Sequence, residues 1–252
     1  MSILNAIKQN GFAELKTSIS DDVVKAMDGF ERFLNYDFAE RKKWTFDTAR
    51  MVNSQIGYVP REGGINPMTR QPYDFKDVFH FDRSLLARAK ERGLNVAEWK
   101  DWFEALENLY KKGEDICSKA AEELDTLHPG LKIMERIKHI EGNDILRLLH
   151  YHMKKGETGV LGRGHTDEWL FTVNFGENIP GLRVGEQGNM QFIARDKNTA
   201  ILYPGKKAES LTNGDLKALY HEVVDPQLKE DFKDRFAVTF FFDANVPAGR
   251  MM

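Results

Sequence analysis

The chain has 252 residues, of which 41% are hydrophobic and 30% charged, and its formal net charge is -3. This length allows one sizeable core, and the near balance of charge excludes the basic surface that binds nucleic acid or anionic membranes. The single cysteine excludes an internal disulfide and a thiolate-rich metal site made by this chain alone. The apolar stretches are too short for a signal peptide or a membrane span. We expect one domain over residues 1–252, located in the cytoplasm, with no nucleic acid or membrane partner.

Helical periodicity dominates the first half of the sequence. Apolar side chains recur at helical spacing over residues 20–34, behind a possible cap at Ser20 or Asp21, which predicts an amphipathic helix. A second helical pattern covers residues 96–127 and stops at His128-Pro129-Gly130, which predicts one or two long helices. Residues 57–75 are rich in Gly and Pro and are predicted to form an ordered surface loop. We therefore expect residues 1–138 to be mainly helical.

After His139 the pattern changes to short β-rich runs separated by Gly, Pro and Asn. The predicted strands are residues 145–151, 169–175, 181–184, 190–194, 200–203, 220–224 and 236–242. Short strands at this close spacing favour a barrel or a sandwich. The fold class predicted from the residues is mainly β with flanking helices.

The segment GHTDEWLFTVNF places a histidine and an aspartate two residues apart at the head of a predicted strand. Side chains at i and i+2 of a strand share a face, so His165 and Asp167 are predicted to present an imidazole and a carboxylate to one point. His221, on another predicted strand, is the candidate third ligand. Two histidines and one carboxylate that leave the other positions open are the arrangement of non-haem Fe(II) oxygenases. Metal coordination would also compensate the desolvation of these groups.

The His-x-Asp pair is a weak signal by itself, because residues 80–82 repeat it in a region without a strand pattern. The signal becomes stronger because a second histidine, His221, follows about fifty residues later, and an arginine, Arg235, follows about ten to fifteen residues beyond it. Arg235 opens the apolar run RFAVTFFF, where a buried guanidinium needs an anion. Two interpretations stay open: Arg235 pairs with a structural acid such as Asp234 or Glu222, or its planar fork binds the distal carboxylate of 2-oxoglutarate.

Several segments together resemble the isopenicillin N synthase-like family of Fe(II)/2-oxoglutarate-dependent dioxygenases. NGFAELKTSISDDVVKAMDGFERFL is similar to the family's N-terminal strand and helix, and LRLLHYH, GHTDEWLFTVNF, GLRV and LTNGDLKALYHEVV are similar to its successive barrel strands, in the same order. The resemblance implies a double-stranded β-helix (jelly-roll) core over residues 139–252 with a helical N-terminal half. It implies Fe(II), 2-oxoglutarate and O2 as cofactors, a small-molecule substrate that is hydroxylated, desaturated or cyclised, and release of succinate and CO2.

The resemblance also implies roles for individual residues: His165, Asp167 and His221 as catalytic iron ligands, and Arg235 and Tyr151 as the residues that hold 2-oxoglutarate. Two positions depart from the family pattern. Ala237 stands where the family usually has the serine of Arg-x-Ser, which also leaves open an oxidase that needs no oxo acid, and His152 replaces a proline. A carboxylate at position 167, instead of a small residue that leaves room for a halide, favours hydroxylation over halogenation.

Two other interpretations remain. His150-Tyr151-His152 followed by Glu157 is similar to the first cupin motif, although the second cupin motif is missing, so a cupin-type metal site would use His150, His152 and Glu157. The favoured interpretation makes His150 structural. The last interpretation is a non-catalytic binding module on the same barrel, in which His165 and Asp167 hydrogen-bond to each other. Residues 57–72 are predicted to gate the site, and the oligomeric state is left open.

Overall fold

The computed structural model describes residues 2–47, 55–59, 76–137, 144–152, 159–225 and 234–244. The helices are α1 (Ile3–Asn10), α2 (Ser20–Leu34), α3 (Phe38–Lys42), α4 (Leu85–Glu91), α5 (Lys100–Leu127), α6 (Ile133–Ile137) and α7 (Lys206–Leu211), with a 3-10 turn at Val96–Trp99. The strands are β1 (Ala13–Lys16), β2 (Thr45–Asp47), β3 (Gln55–Val59), β4 (Lys76–Phe81), β5 (Ile145–Tyr151), β6 (Val160–His165), β7 (Phe171–Glu177), β8 (Leu182–Glu186), β9 (Asn189–Phe192), β10 (Thr199–Pro204), β11 (His221–Val224) and β12 (Arg235–Phe242).

The strands form two antiparallel sheets. The large sheet has the order β1-β10-β7-β12-β5-β4-β3-β2, and the small sheet has the order β6-β11-β8-β9. From β5 to β8 consecutive strands alternate between the two sheets, and so do β10, β11 and β12. This winding is that of a double-stranded β-helix, or jelly roll. The predicted fold class, a mainly β jelly-roll core with flanking helices, is confirmed.

The two faces of the large sheet pack against different parts of the protein. Along β12 the phenylalanines Phe236, Phe240 and Phe242 belong to the main core, which also contains the buried faces of α2 and α5. The intervening Ala237 packs instead with Val223 of the small sheet, inside the jelly roll. Alternate residues of one apolar strand thus line the helix-covered outer face and the inner face. None of the helices in the described parts of the chain is long and apolar enough to cross a membrane.

The N-terminal part contributes more strands than its helical pattern predicts, because β1 to β4 all join the large sheet. Residues 57–59, predicted as a loop, end β3, and the region of residues 80–82, predicted to lack a strand, contains the end of β4. Both predictions were wrong because these strands are buried on both faces and lack polar alternation. Residues 60–75, which include most of the predicted gate, lie outside the described residues.

Most other elements occur where the periodicity places them. The helix predicted over residues 20–34 is α2, and residues 96–127 form the 3-10 turn followed by the single helix α5. The strands predicted after residue 139 are found within about two residues of their expected bounds, whereas β6 was missed. Burial alternates only weakly along β6, and Gly162 and Gly164 leave two of its positions without a side chain.

The close packing of α2 on α5 depends on Gly29. A Cβ at this position would lie 2.2 Å from Cδ1 and 2.9 Å from Cβ of Trp102, so the indole cannot swing away without moving its backbone. We expect Gly29→Ala to lower the free energy of unfolding, measured by urea denaturation, by about 1–3 kcal/mol, although alanine has the better helix propensity. Gly130→Ala, where nothing lies within 4 Å, is the control and should change it by less than about 0.5 kcal/mol. A stabilised Gly29→Ala protein would contradict the tight packing.

Candidate functional site

The register between β6 and β11 places two histidines opposite each other. His165 ends β6, His221 begins β11, and their ring centroids are 4.4 Å apart. Nδ1 of His165 lies 2.7 Å from the carbonyl oxygen of Arg163, and Nδ1 of His221 lies 3.1 Å from that of Leu219. Because a carbonyl oxygen only accepts, Nδ1 carries a hydrogen in both rings, so that in the neutral form of each ring Nε2 has the lone pair that can bind a metal.

Asp167 reaches the same point from the turn after β6. The prediction that His165 and Asp167 share one strand face is therefore wrong: the strand ends at His165, where the chain leaves the small sheet for β7 of the large sheet. The backbone N–H of Lys206 donates to the carbonyl of Asp167 at 2.7 Å, and a Cβ at Gly205 would lie 2.7 Å from that carbonyl oxygen. The Thr172 hydroxyl donates to Oδ2 of Asp167 at 2.8 Å. The backbone of the turn is thus held by Lys206, and the carboxylate of Asp167 is held by Thr172 of β7.

The three side chains form a compact donor set. Oδ1 of Asp167 lies 3.4 Å from Nε2 of His165 and 3.9 Å from Nε2 of His221. Burial raises the pKa of Asp167, but the two histidines and Thr172 outweigh it and hold the pKa well below its usual range. Burial lowers the pKa of His221, whereas Asp167 outweighs burial and raises that of His165. An ionised carboxylate and a neutral imidazole are the forms that bind metal, which competes with the proton at His165.

This geometry fits a divalent metal. One donor atom of each of the three residues lies within 4.8 Å of the others. Metal–ligand bonds of about 2.1 Å put neighbouring octahedral ligands about 3 Å apart, so each pair of donor atoms needs to approach by at most about 2 Å. Two imidazoles and one carboxylate leave further positions open for other ligands. The predicted residues His165, Asp167 and His221 are brought together.

Arg235 and Tyr151, the other predicted site residues, are direct partners in the β12–β5 pair. The guanidinium carbon lies 4.9 Å from the centroid of the Tyr151 ring. Nε of Arg235 donates to the carbonyl of Ile179 at 3.2 Å, and Nη2 donates to the carboxylate of Glu177. Nη1 is buried and has no hydrogen-bond partner among the described residues. One edge of this guanidinium is therefore available to a carboxylate.

The acid that pairs with Arg235 is neither of the two that sequence analysis named. Asp234 contacts His150 at 2.7 Å, and Glu222 pairs with Arg183 at 3.3 Å. Glu177, at the end of β7, is the partner instead. Sequence analysis missed Glu177 because residues 171, 173 and 175 of β7 face the main core, and strict alternation would put residue 177 on that outer face as well.

Tyr203 of β10 is a further site residue that sequence analysis missed. Its ring centroid lies 5.2 Å from that of His221. Burial and the nearby Asp167 raise the pKa of Tyr203 well above its usual value, so its hydroxyl stays protonated at neutral pH. Nothing in the apolar run AILYP separates this tyrosine from a core residue. Its position only becomes visible once β10 is placed in the large sheet beside β7.

A second group of histidines lies on the helix-covered face of the large sheet. Nε2 of His152 is 2.8 Å from Oδ2 of Asp77, Nδ1 of His150 is 3.3 Å from the same oxygen, and Nε2 of His150 is 2.7 Å from Asp234. The shortest separations are those of direct hydrogen bonds. Glu157, the remaining residue of the cupin-type alternative, lies outside the described residues.

Comparison with known proteins relates this site to a family. Residues 142–244 match the family model described as the 2OG-Fe(II) oxygenase superfamily. The matched residues are 103 of the 252 in the chain, which is less than half of it. The resemblance expected from the sequence is confirmed at this level. Proteins of the 2OG-Fe(II) oxygenase superfamily use Fe(II), 2-oxoglutarate and O2, and the donor set of His165, Asp167 and His221 fits the metal.

Individual relatives agree with the family match. The 2-oxoglutarate-dependent dioxygenase citB of Monascus ruber is 29% identical over 128 residues, which cover 48% of this chain and 38% of that protein. The match therefore spans less than half the length of this curated relative. A putative 2OG-Fe(II) oxygenase family protein from Caulobacter crescentus has a TM-score of 0.71 at 23% identity, over 96% of this chain and 80% of that one. A full-length Neurospora crassa protein, solved in complex with alpha-KG, has a TM-score of 0.72 at 22% identity, over 96% and 78% of the two chains.

The two His/Asp groups give different expectations for metal binding. We expect His165→Ala and His221→Ala each to weaken Fe(II) binding by about 100-fold or more, because each removes one of three ligands. His152→Ala, which alters the group on the other face of the large sheet, is the matched control and should bind Fe(II) as the unaltered protein does. Anaerobic titration with Fe(II) measures all three affinities. Loss of binding in His152→Ala with retention in His165→Ala would move the metal to the other group.

Proposed function

We propose that the protein is a Fe(II)- and 2-oxoglutarate-dependent oxygenase that hydroxylates, or desaturates or cyclises, a small-molecule substrate. The observation that carries this proposal is the convergence of two free Nε2 atoms and one carboxylate oxygen at His165, His221 and Asp167. In the hydroxylation, R–H, 2-oxoglutarate and O2 give R–OH, succinate and CO2. The bound iron supplies the activation of O2, while the protein supplies placement and recognition.

The metal ligands are assigned to His165, Asp167 and His221. The hydrogen bonds from each Nδ1 fix the rotation of both imidazole rings, and Thr172 fixes the carboxylate of Asp167. Such outer contacts orient ligands before the metal binds. A carboxylate at position 167 occupies the place where a small residue would admit a halide, which supports oxygen insertion or desaturation as the reaction.

The cosubstrate's distal carboxylate is assigned to Arg235, with Tyr151 beside it. The guanidinium is 1% exposed, so water competes poorly for its free Nη1 donor. The Tyr151 ring lies over the guanidinium and limits its movement. A charge-assisted hydrogen bond in such a buried site is stronger than one in water.

The substrate is proposed to approach from the side of His165. Its side chain is 54% exposed, whereas those of Asp167 and His221 are 9% and 7% exposed. The solvent-facing side of the donor set is therefore the His165 side, and a small molecule can reach the open metal positions there. The buried side, next to Tyr203, is left for the cosubstrate.

Binding and turnover of 2-oxoglutarate test this proposal. Anaerobic addition of Fe(II) and 2-oxoglutarate should give a weak visible charge-transfer band, and O2 should then convert 2-oxoglutarate to succinate. We expect Arg235→Gln to keep its affinity for Fe(II) but to raise the KM for 2-oxoglutarate about tenfold or more, because a charge-assisted contact is lost.

Arg88→Gln, which removes a guanidinium that contacts Phe46 and the backbone of Asp47, is the control and should leave the KM unchanged. Folding of each variant is checked by its thermal unfolding midpoint. A metal-loaded, folded protein that gives no band and forms no succinate would refute the proposal.

A further inference from the structure

A second arginine, Arg195, lies in the same buried group as Arg235. Its Nη1 donates to the carbonyl oxygen of Asn174 at 2.9 Å, and its Nη2 lies 3.7 Å from Oε1 of Glu177. The other oxygen of Glu177, Oε2, accepts from Arg235. The carboxylate is therefore shared between two guanidiniums. All three side chains are nearly inaccessible, with Arg195 8%, Glu177 6% and Arg235 1% exposed.

The charges of this group do not balance. Among the described residues, the guanidiniums of Arg195 and Arg235 share the single carboxylate of Glu177, so the buried group has a net charge of one positive unit. Burial and the charge of Arg235 lower the pKa of Arg195, and Glu177 only partly offsets them. Nη2 of Arg195 and Nη1 of Arg235 are both buried without a hydrogen-bond partner in the part of the chain that the structure describes. Buried, unsatisfied charged donors are costly unless a further anion completes the site.

The arginine pair and the candidate metal ligands contact the same strand, β7. The Thr172 hydroxyl of β7 donates to Asp167, and the carbonyl of Asn174, two residues further along the same strand, accepts from Arg195. The strand β7 thus contacts a candidate metal ligand at Thr172 and the arginine pair at Asn174 and Glu177, and side chains two residues apart on a strand share a face about 7 Å apart. A short dicarboxylate with an oxo group can contact both.

We propose that Arg195 and Arg235 together bind the distal carboxylate of 2-oxoglutarate, and that Glu177 positions both guanidiniums. This inference rests on the proposed function. This chain lacks the serine hydroxyl of Arg-x-Ser, because Ala237 stands two residues after Arg235. Arg195 supplies a hydrogen-bond donor in place of that hydroxyl. The incoming carboxylate neutralises the remaining charge and accepts from the two donors that lack partners. The arginine pair therefore selects 2-oxo acids that carry a second carboxylate at the far end.

Equilibrium binding of two oxo acids tests this inference without turnover. The probes are 2-oxoglutarate and 2-oxopentanoate, which has the same chain length but no distal carboxylate, titrated anaerobically into the Fe(II)-loaded protein and followed by the charge-transfer band. We expect Arg195→Gln to weaken 2-oxoglutarate binding about tenfold or more. It should leave 2-oxopentanoate binding within about twofold, because this acid makes no contact with Arg195.

Lys197→Gln removes an exposed positive charge two residues away and should bind both acids as the unaltered protein does. Arg195→Lys keeps the charge but not the planar fork, so its loss of 2-oxoglutarate affinity should be intermediate. This variant replaces Arg195→Gln in the test if Arg195→Gln does not fold. Unchanged 2-oxoglutarate binding in a folded Arg195 variant, or an equal loss for both acids, would overturn the inference. Failure of the unaltered protein to bind either acid would instead refute the proposed function.

Discussion

The candidate site depends first on the antiparallel register of β6 and β11. His165 and His221 are opposite partners across this pair, and each ring is fixed by a hydrogen bond to the backbone carbonyl two residues before it. A shift of one residue in this register would turn one imidazole to the other face of the small sheet and separate the two Nε2 atoms. Asp167 joins them because its turn is held by Lys206 after β10 and by Thr172 of β7. The donor set is therefore built on three strands from both sheets.

The large sheet separates two chemically similar groups that differ in their spacing. On its inner side the carboxylate of Asp167 lies 3.4 and 3.9 Å from the imidazole nitrogens, which leaves room for a metal between them. On its outer side His150 lies between Asp77 and Asp234, and these carboxylates outweigh burial and raise the pKa of His150. A protonated ring can donate to both acids, so this group is satisfied by hydrogen bonds alone. Both groups bring one donor atom of each residue within 4.8 Å of the others, and they differ in that the outer group is already joined by hydrogen bonds of 2.7 and 2.8 Å.

The sequence predicts the periodic elements and the candidate metal ligands better than it predicts the buried group of Arg195, Arg235 and Glu177. The bounds of α2 follow from its helical periodicity, whereas β5 is buried along nearly its whole length and was predicted from its run of apolar, β-favouring residues. The residue types and their resemblance to a family selected His165, Asp167 and His221, although Asp167 arrives from a turn and not from a strand. Glu177 and Arg195 could not be predicted, because a local irregularity orients the first and a long-range contact positions the second.

That irregularity is a β-bulge in β7. Ala237 of β12 pairs with Glu177, but Thr239 pairs with Asn174, so β7 has one residue more than β12 between these pairs. The extra residue reverses the alternation and turns Glu177 from the outer face to the inner face.

The bulge also connects the outer core to the buried group of Glu177, Arg195 and Arg235. A Cβ at Gly176 would lie 2.8 Å from Cγ1 of Val23 on α2, so the bulged segment and the helix fit together only because this position is glycine. Without the bulge, Arg195 and Arg235 would be buried with no counter-charge between them, at a cost of several kcal/mol. With it, one carboxylate holds two guanidiniums apart and leaves a single positive charge. The packing of a helix outside the sheet thereby fixes the charge of the buried group inside it.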